Sequence, residues 1–125
     1  MVERRTTDGV RIAQLLASEL DGREDGHYAR FAVVDADRDV EPTVDGARAY
    51  DVTLDGEAFA RAFVHPDRVR VELRRGLDAG AEAAAAADLP ARPKAVEPPR
   101  LVLFVESGAA VKRAGDVLVA AAAAE

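Results

Sequence analysis

The spacing of apolar positions predicts a helix at the start of the chain. Five apolar residues recur at three- and four-residue intervals and share one helical face: Val10, Ala13, Leu16, Ala17 and Leu20. The segment 6–9 supplies capping residues before them, and Gly22 stands where a left-handed residue ends a helix. The polar segment 22–29 is then expected to form a loop.

A change from helical spacing to alternation predicts strands in the middle of the chain. The segment 31–35 forms the first strand. Two alternating runs then flank Asp55-Gly56, which indicates a hairpin with a type I′ turn. A two-residue turn pairs Val52 with Phe59 and Tyr50 with Arg61. This register puts the larger apolar side chains on one face of the hairpin: Tyr50, Val52, Leu54, Phe59 and Phe63.

The segment 68–73 alternates again and predicts a further strand. Its two valines and Leu73 form one face, whereas Arg68, Arg70 and Glu72 form the other. An odd-numbered turn at 65–67 places the valine face beside the phenylalanines of the hairpin, and an even-numbered turn places the arginines there. Because side chains alternate with period two, we expect the odd-numbered turn.

The last third of the chain predicts a helix, a strand and a final helix. Ala-rich 77–88 is helical by propensity, and the four prolines of 89–99 make that segment an extended connector. The segment 100–105 is apolar on both faces, as in a central strand. We therefore predict a single α+β domain over 1–125 in the order α-β-β-β-β-α-β-α, with a mostly antiparallel sheet, the last strand central, and 120–125 frayed. The helix at 77–88 provides its one crossover, between strands 68–73 and 100–105.

The amino-acid composition indicates the cellular environment of the protein more clearly than it indicates an activity. The chain has 15 Arg against 2 Lys, 23 acidic residues and 27 Ala, with a net charge of −6. This profile is typical of a saline cytoplasm, because high salt screens charge and strengthens apolar burial. The absence of Cys and the presence of only two His exclude disulfides, thiolate metal sites and a multi-histidine site within one chain. No cofactor is implied.

The chain shows neither a secretory signal nor a membrane-spanning segment. Its first residues are followed by an amphipathic pattern, and its longest apolar strand, 101–105, is far too short to cross a bilayer. We expect a cytoplasmic protein.

Three acidic residues form a candidate metal site. Asp35, Asp37 and Asp39 alternate, so in a strand they would share one face and could hold a hard cation such as magnesium. The calcium-loop pattern fails because Val40 and Gly46 stand where Gly and Glu are required. A solvated acidic strand end is the favoured interpretation.

A basic region forms a candidate phosphate or nucleic-acid site. Residues 61–100 carry a net charge of +2 and residues 1–60 a net charge of −7. The candidate patch consists of Arg61, Arg68, Arg70 and Arg74, and basic residues at 92–100 extend the region. Pairing with acids is the favoured interpretation, since Arg prefers carboxylate forks. The expected partners of Arg68 and Arg70 are Asp51 across the sheet or acids of a neighbouring subunit. Aromatic residues are sparse there, which weakens a nucleic-acid interpretation.

A strand-to-helix junction forms a candidate anion site. Ser107 and Gly108 open the last helix, where backbone N–H groups point outward, and Lys112 and Arg113 follow within about a turn. A simple helix cap at Ser107 is the favoured alternative.

The sequence resembles a family of small uncharacterised proteins from halophilic archaea. The resemblance lies in five stretches: TDGVRIAQLLASELDG (7–22), ADRDVEPTVDGARAYDV (36–52), VHPDR (64–68), RPKAVEPPR (92–100) and FVESGAAVKRAGDVL (104–118). It implies a haloarchaeal cytoplasmic origin and no particular activity.

Three functions remain open, and a non-enzymatic role is favoured over catalysis. The first is a small protein that acts through an interaction surface with a protein partner or as a homo-oligomer. The second is a phosphate- or nucleic-acid-binding module that uses the strand of Arg68 and Arg70. The third is a metal-dependent enzyme that uses Asp35, Asp37 and Asp39. A shared outward face of arginines without acidic partners would favour the second function over the first.

Overall fold

The structure, a computed structural model, describes residues 7–21 and 26–125. Its helices are α1 (Gly9–Asp21), α2 (Leu77–Ala86) and α3 (Val111–Ala123), and short 3-10 helices occupy Gly26–Arg30 and Gly108–Ala110. The strands are β1 (Phe31–Val34), β2 (Ala47–Leu54), β3 (Glu57–Val64), β4 (Val69–Leu73), β5 (Ala91–Lys94) and β6 (Arg100–Val105). The α+β class and the order of the predicted elements are confirmed, with β5 as an addition.

The strands form one sheet in the order β1-β2-β3-β4-β6-β5, and every neighbouring pair is antiparallel. The last strand lies inside the sheet, between β4 and the edge strand β5, and not at its centre as predicted. Since β4 and β5 both run antiparallel to β6, they are parallel to each other. The crossover through α2 therefore ends at β5, and the predicted crossover from 68–73 to 100–105 is wrong. Pro93 fits into β5 because an edge strand needs no hydrogen-bond donor on its outer side.

The hairpin turn has the predicted type, but the predicted register is wrong beyond its first pairs. Asp55 has φ 52° and Gly56 has φ 86°, and two positive values define a type I′ turn. Thr53 pairs with Ala58, yet Val52 pairs with Ala60 and Tyr50 with Ala62. Phe59 is thus an extra residue in β3, and a second irregularity in β2 follows at Ala49. These bulges turn the strands, so that Phe59 and Ala60 are both buried.

The bulge at Phe59 exchanges the two faces of β3. Ala60, Ala62 and Val64 are buried under the helices, whereas Arg61 and Phe63 point to the other side. Val64 then pairs with Val69 and Phe63 with Arg70, which leaves an even-numbered turn of four residues. The predicted odd-numbered turn is wrong for this reason. It assumed that the phenylalanine face of the hairpin was the core face.

All three helices pack on one side of the sheet and against one another. Helix α1 contributes Ile12, Leu16 and Leu20, which are fully buried. Asp8 Oδ1 accepts a hydrogen bond from the backbone N–H of Arg11 (3.2 Å) and caps this helix. The Tyr50 hydroxyl donates to the Ala13 carbonyl (2.8 Å), and burial raises the pKa of that hydroxyl well above its usual range. The small side chains of β3 let α1 approach closely.

Several predicted boundaries move. Helix α2 ends at Ala86 and not at 88, and β4 begins at Val69, so Arg68 lies in the turn. Residues 120–125 were expected to fray, but α3 continues to Ala123 with Ala121 and Ala122 buried, because its end packs on the α2 side of the core. The predicted loop at 22–29 includes a 3-10 helix, and the predicted cap at Gly22 lies outside the described residues.

Candidate functional site

The side of the sheet that faces away from the helices carries charged and aromatic side chains. Residues that pair across antiparallel strands share one side of the sheet, so the pairing places these side chains together. We call this surface the open face. Its ten charged and aromatic members are Arg48, Asp51, Arg61, Phe63, Arg70, Glu72, Arg92, Lys94, Arg100 and Phe104. The buried Val102, which pairs with Glu72 and Arg92, lies among them.

The open face is positively charged in an acidic protein. Its six basic side chains stand against two acidic ones, which leaves four positive charges, whereas the whole chain carries −6. Arg92 and Lys94 lie on the edge strand β5 and are exposed. A concentrated charge of this kind attracts an anion of opposite sign and raises its local concentration.

Glu72 lies at the centre of one ion-pair network. Its side chain is almost fully buried; its Oε1 accepts from Arg100 Nη1 (2.8 Å) and its Oε2 from Arg70 Nε (3.0 Å). Burial by itself raises the pKa of this carboxyl. The hydrogen bond from Arg100 and the charges of Arg70, Lys94 and Arg100 outweigh the burial, so the pKa of Glu72 lies below its ordinary value. Glu72 is therefore a fixed negative charge that orients two arginines.

Asp51 organises a second network at the other side of the open face. Its Oδ1 accepts from Arg61 Nε (2.8 Å), and its Oδ2 lies 3.3 Å from Arg48 Nη2. Burial raises the pKa of Asp51, but the hydrogen bonds from Arg61 and Arg48 lower it by more. The pKa of Asp51 therefore lies below its ordinary value. Each acid of the open face thus holds two arginines.

Arg70 is held from three further directions. Its guanidinium lies over the Phe63 ring, 4.3 Å from the ring centre, and its Nη1 donates to the Asp45 carbonyl (3.0 Å). The same Nη1 lies 3.2 Å from His65 Nε2. Since His65 Nδ1 is 2.9 Å from the Val44 carbonyl, which can only accept, Nδ1 carries the proton and Nε2 accepts from Arg70. These contacts fix the plane of the guanidinium.

A backbone requirement supports this arrangement of Arg70 and His65. Gly46 has φ 93°, and a Cβ there would lie 2.9 Å from both Arg70 Nη1 and His65 Nε2. Only glycine fits the conformation and the space. Val44, two residues earlier, leaves 82% of its surface exposed at the rim of the open face.

Phe104 completes a row of flat side chains. Phe63, Arg70 and Phe104 pair across β3, β4 and β6, so they form one line perpendicular to the strands. Phe63 and Phe104 are only partly buried and do not belong to the hydrophobic core under the helices. With strands about 4.8 Å apart, the two phenylalanine backbones are about 10 Å apart.

The structure divides the predicted basic patch. Arg61 and Arg70 lie on the open face, whereas Arg68 pairs with Asp67 in the turn (3.0 Å) and Arg74 lies beyond the end of β4. The predicted pairing of Arg68 and Arg70 with Asp51 is wrong, because the shifted register brings Arg61 to Asp51 and leaves Arg70 beside Glu72.

Sequence reasoning missed Arg48, Phe63 and Phe104 as members of the site. Alternation within 100–105 puts Arg100 and Phe104 on one face, which was a usable signal. No local signal reveals Arg48 and Phe63, because their orientation depends on the two bulges.

The aspartates of the candidate metal site do not share a strand face. Strand β1 ends at Val34, and Asp35 has a left-handed φ of 53°. Asp37 Oδ1 accepts from the backbone N–H of Asp39 (3.0 Å), which makes a local turn. Among the residues that the structure describes, no group of three or more His, Cys, Asp or Glu is placed to hold a metal ion.

The strand-to-helix junction uses its cations for other contacts or leaves them in solvent. Arg113 Nη1 donates to the carbonyls of Ala87 (3.3 Å) and Asp88 (3.1 Å), next to the end of α2, and Lys112 is exposed. Ser107 makes no side-chain capping hydrogen bond. The structure therefore does not gather Ser107, Gly108, Lys112 and Arg113 around one point.

A groove of about 530 Å³ lies between α1 and the segment 36–40. Its lining is mostly apolar, and Asp37 and Arg38 on its rim carry opposite charges. It offers no concentration of charge like that of the open face, so we take the open face as the candidate site.

The chain belongs to a family of unknown function, DUF7993, whose family model matches residues 1–125. Neither a curated protein nor a solved structure matches it. In the described part of the chain, no helix combines the length and the apolar character needed to cross a membrane.

Proposed function

We propose that this protein is a binding module that captures an anionic partner on the open face of its sheet. The observation that carries the proposal is the surplus of four positive charges on this face of a chain whose net charge is −6. Two acids hold four of the six cations in defined positions, and Arg92 and Lys94 stay exposed at the edge. Such an arrangement is prepared before the partner arrives, which lowers the entropic cost of binding.

Binding accounts for the open face better than acid–base catalysis does. A general acid or base works best when its pKa lies near the working pH. The pKa values of Asp51 and Glu72 are instead shifted downward by their arginine neighbours. Both acids remain ionised near neutral pH and serve to orient arginines.

The charge of the open face also argues against self-association through it. Two copies placed face to face would oppose four surplus positive charges with four more, and like charges at close range are costly. We therefore assign the face to an anionic partner and not to the same face of a second copy. We further propose a haloarchaeal, cytoplasmic setting, which rests on the excess of acids over bases and of Arg over Lys.

The proposal is tested with a long-chain inorganic polyphosphate as the probe, titrated into the protein in a calorimeter. The variant Arg92→Ser/Lys94→Ser removes two exposed charges from the open face without breaking an ion pair of the described network. We expect its affinity for polyphosphate to fall by about fivefold or more, because each lost cation forfeits counterion release.

The matched control is Arg38→Ser/Lys112→Ser, which removes the same charge from exposed positions away from the open face. Its affinity should stay within about twofold of the parent, since distant exposed charges are largely screened. Equal losses in the two variants, or no binding by the parent, would contradict the proposed function.

A further inference from the structure

We propose that the anionic partner is a single-stranded nucleic acid, whose bases stack on Arg70 and Phe104 while its phosphates contact the surrounding cations. This inference rests on the proposed function and names the partner of the same face. Arg61 and Arg70 have acidic partners, so the arginines alone do not favour a nucleic acid over a protein partner. The inference follows instead from the combination of surplus charge with flat side chains, since charge alone would suit any polyanion.

The first stacking surface is the guanidinium of Arg70. Its inner side lies on the Phe63 ring, and its edges are held by Glu72, by the Asp45 carbonyl and by His65. Of the Arg70 side chain, 21% is exposed, and the side of the plane away from Phe63 is where we infer that a base stacks. Guanidinium planes and aromatic rings are the groups on which proteins stack unpaired bases.

The second stacking surface is the Phe104 ring, one strand away from Arg70 in the same row. The ring is partly exposed on a face that no helix covers. Burial in the core cannot explain a phenylalanine there, because the core lies on the opposite side of the sheet. An arginine and a phenylalanine on neighbouring strands of a sheet can each stack one of two consecutive bases of an extended strand.

The cations around this row provide contacts for the backbone of such a strand. Arg61 lies two residues before Phe63 on β3 and therefore on the same face. Arg92 and Lys94 lie on the edge strand β5. Bases at the centre and phosphates at the margin would then contact groups of suitable chemistry. Paired bases in a duplex are stacked on each other and offer no free face to Arg70 or Phe104, so a single strand fits better than a duplex.

Stacking also addresses the effect of salt. Phosphate contacts weaken steeply as salt rises, by a slope of roughly 0.7 per contact for single strands. Stacking on rings and guanidinium planes does not depend on counterion release. A module for a saline setting therefore needs the flat row in addition to its charges.

The test measures binding by fluorescence anisotropy and compares two fluorescein-labelled probes of equal charge. Each probe is 12 nucleotides long. One is an oligothymidylate, and the other is the abasic chain with the same phosphates and no bases. We expect the parent protein to bind the oligothymidylate at least tenfold more tightly than the abasic chain, and to retain that preference in 1 M KCl. An oligouridylate arm identifies the source: tighter binding than the thymidylate indicates RNA, and weaker binding indicates DNA.

Two variants each remove one flat side chain. Phe104→Leu keeps an apolar side chain, and Arg70→Lys keeps the positive charge. In each variant, affinity for the oligothymidylate should approach that for the abasic chain, and abasic binding should be unchanged. Phe31→Leu, in the core under the helices, is the control for loss of stability and should keep the preference for bases.

Each outcome has a separate meaning. Equal affinity of the parent for the two probes, or tighter binding of a duplex, overturns this inference and leaves polyanion capture intact. Failure to bind either probe or polyphosphate overturns the proposed function itself.

Discussion

At the scale of single residues, Glu72 is the more buried of the two acids that hold the arginines of the open face. It is nearly fully buried and fixes Arg70 and Arg100, and the Nε of Arg100 is itself buried without a hydrogen-bond partner in the described part of the protein. Removing the carboxylate charge would leave two arginines without their principal acceptor. Stability and the shape of the site therefore depend on the same side chain.

The substitution Glu72→Gln should lower the free energy of unfolding at pH 7 by about 2 kcal/mol, because two hydrogen bonds to a charged acceptor are weakened. The pKa of Glu72 is lower in the folded state than in the unfolded state. Its stabilisation is thus present above 4.5, the ordinary pKa of a glutamate, and is lost as pH falls below that value and through the lower folded pKa. Urea unfolding across this range should show a flatter pH dependence in the variant.

The control for that series is Glu82→Gln, at an exposed position of α2. It should leave the unfolding free energy within about 0.5 kcal/mol of the parent at every pH. If Glu72→Gln behaves like this control, the network does not stabilise the fold.

At the scale of elements, the hairpin of β2 and β3 shows what local sequence can predict. Asp-Gly requires a turn with two positive φ angles, and the structure has them at Asp55 and Gly56. The bulge at Phe59 has no local signal, because it arises when Ala60 and Ala62 turn under the helices and bring α1 close to the sheet. For that reason the turn was predictable, and the faces of β3 were not.

The same limit applies to the candidate site. The concentration of arginines in 61–100 is visible in the sequence, but the row of Phe63, Arg70 and Phe104 requires the strand order β3-β4-β6. The four prolines of 89–99 led to the prediction of an extended connector in place of β5. An edge strand nevertheless tolerates Pro93. Sequence reasoning therefore found the basic residues of the open face other than Arg48, and it missed the two phenylalanines of the row.

A prediction at this scale concerns Gly56. Gly56→Val should destabilise the protein by about 1 kcal/mol or more, because a β-branched residue resists positive φ. Gly56→Asn should cost less, since Asn tolerates the left-handed region and a Cβ at 56 meets no atom within 4 Å. Equal unfolding midpoints for the two variants in urea would show that φ at this position does not limit stability.

At the scale of the whole molecule, charge is divided between two surfaces. The open face has a positive surplus, so the remainder of the chain is more acidic than the net charge of −6 indicates. Self-repulsion among these acids opposes the folded state in dilute buffer, and much of the core consists of Ala and Val, which bury little apolar surface each.

We therefore predict that the melting temperature rises as KCl increases from millimolar to molar concentration, since salt screens the repulsion and strengthens apolar burial. Thermal melts by circular dichroism across the series provide the measurement. A melting temperature that is independent of salt would remove the support for a saline setting.

The central claim is that a partner binds the open face and not the helical side, and the four phenylalanines provide a direct test. Phe63 and Phe104 lie on the open face, whereas Phe31 and Phe59 pack together in the core with ring centres 5.6 Å apart. The measurement is an NMR titration of protein carrying ¹³C-labelled phenylalanine with the 12-nucleotide oligothymidylate. We predict that the ring signals of Phe63 and Phe104 shift while those of Phe31 and Phe59 stay in place. Shifts confined to the core pair, or no shift at Phe104 under saturating oligonucleotide, would contradict the account.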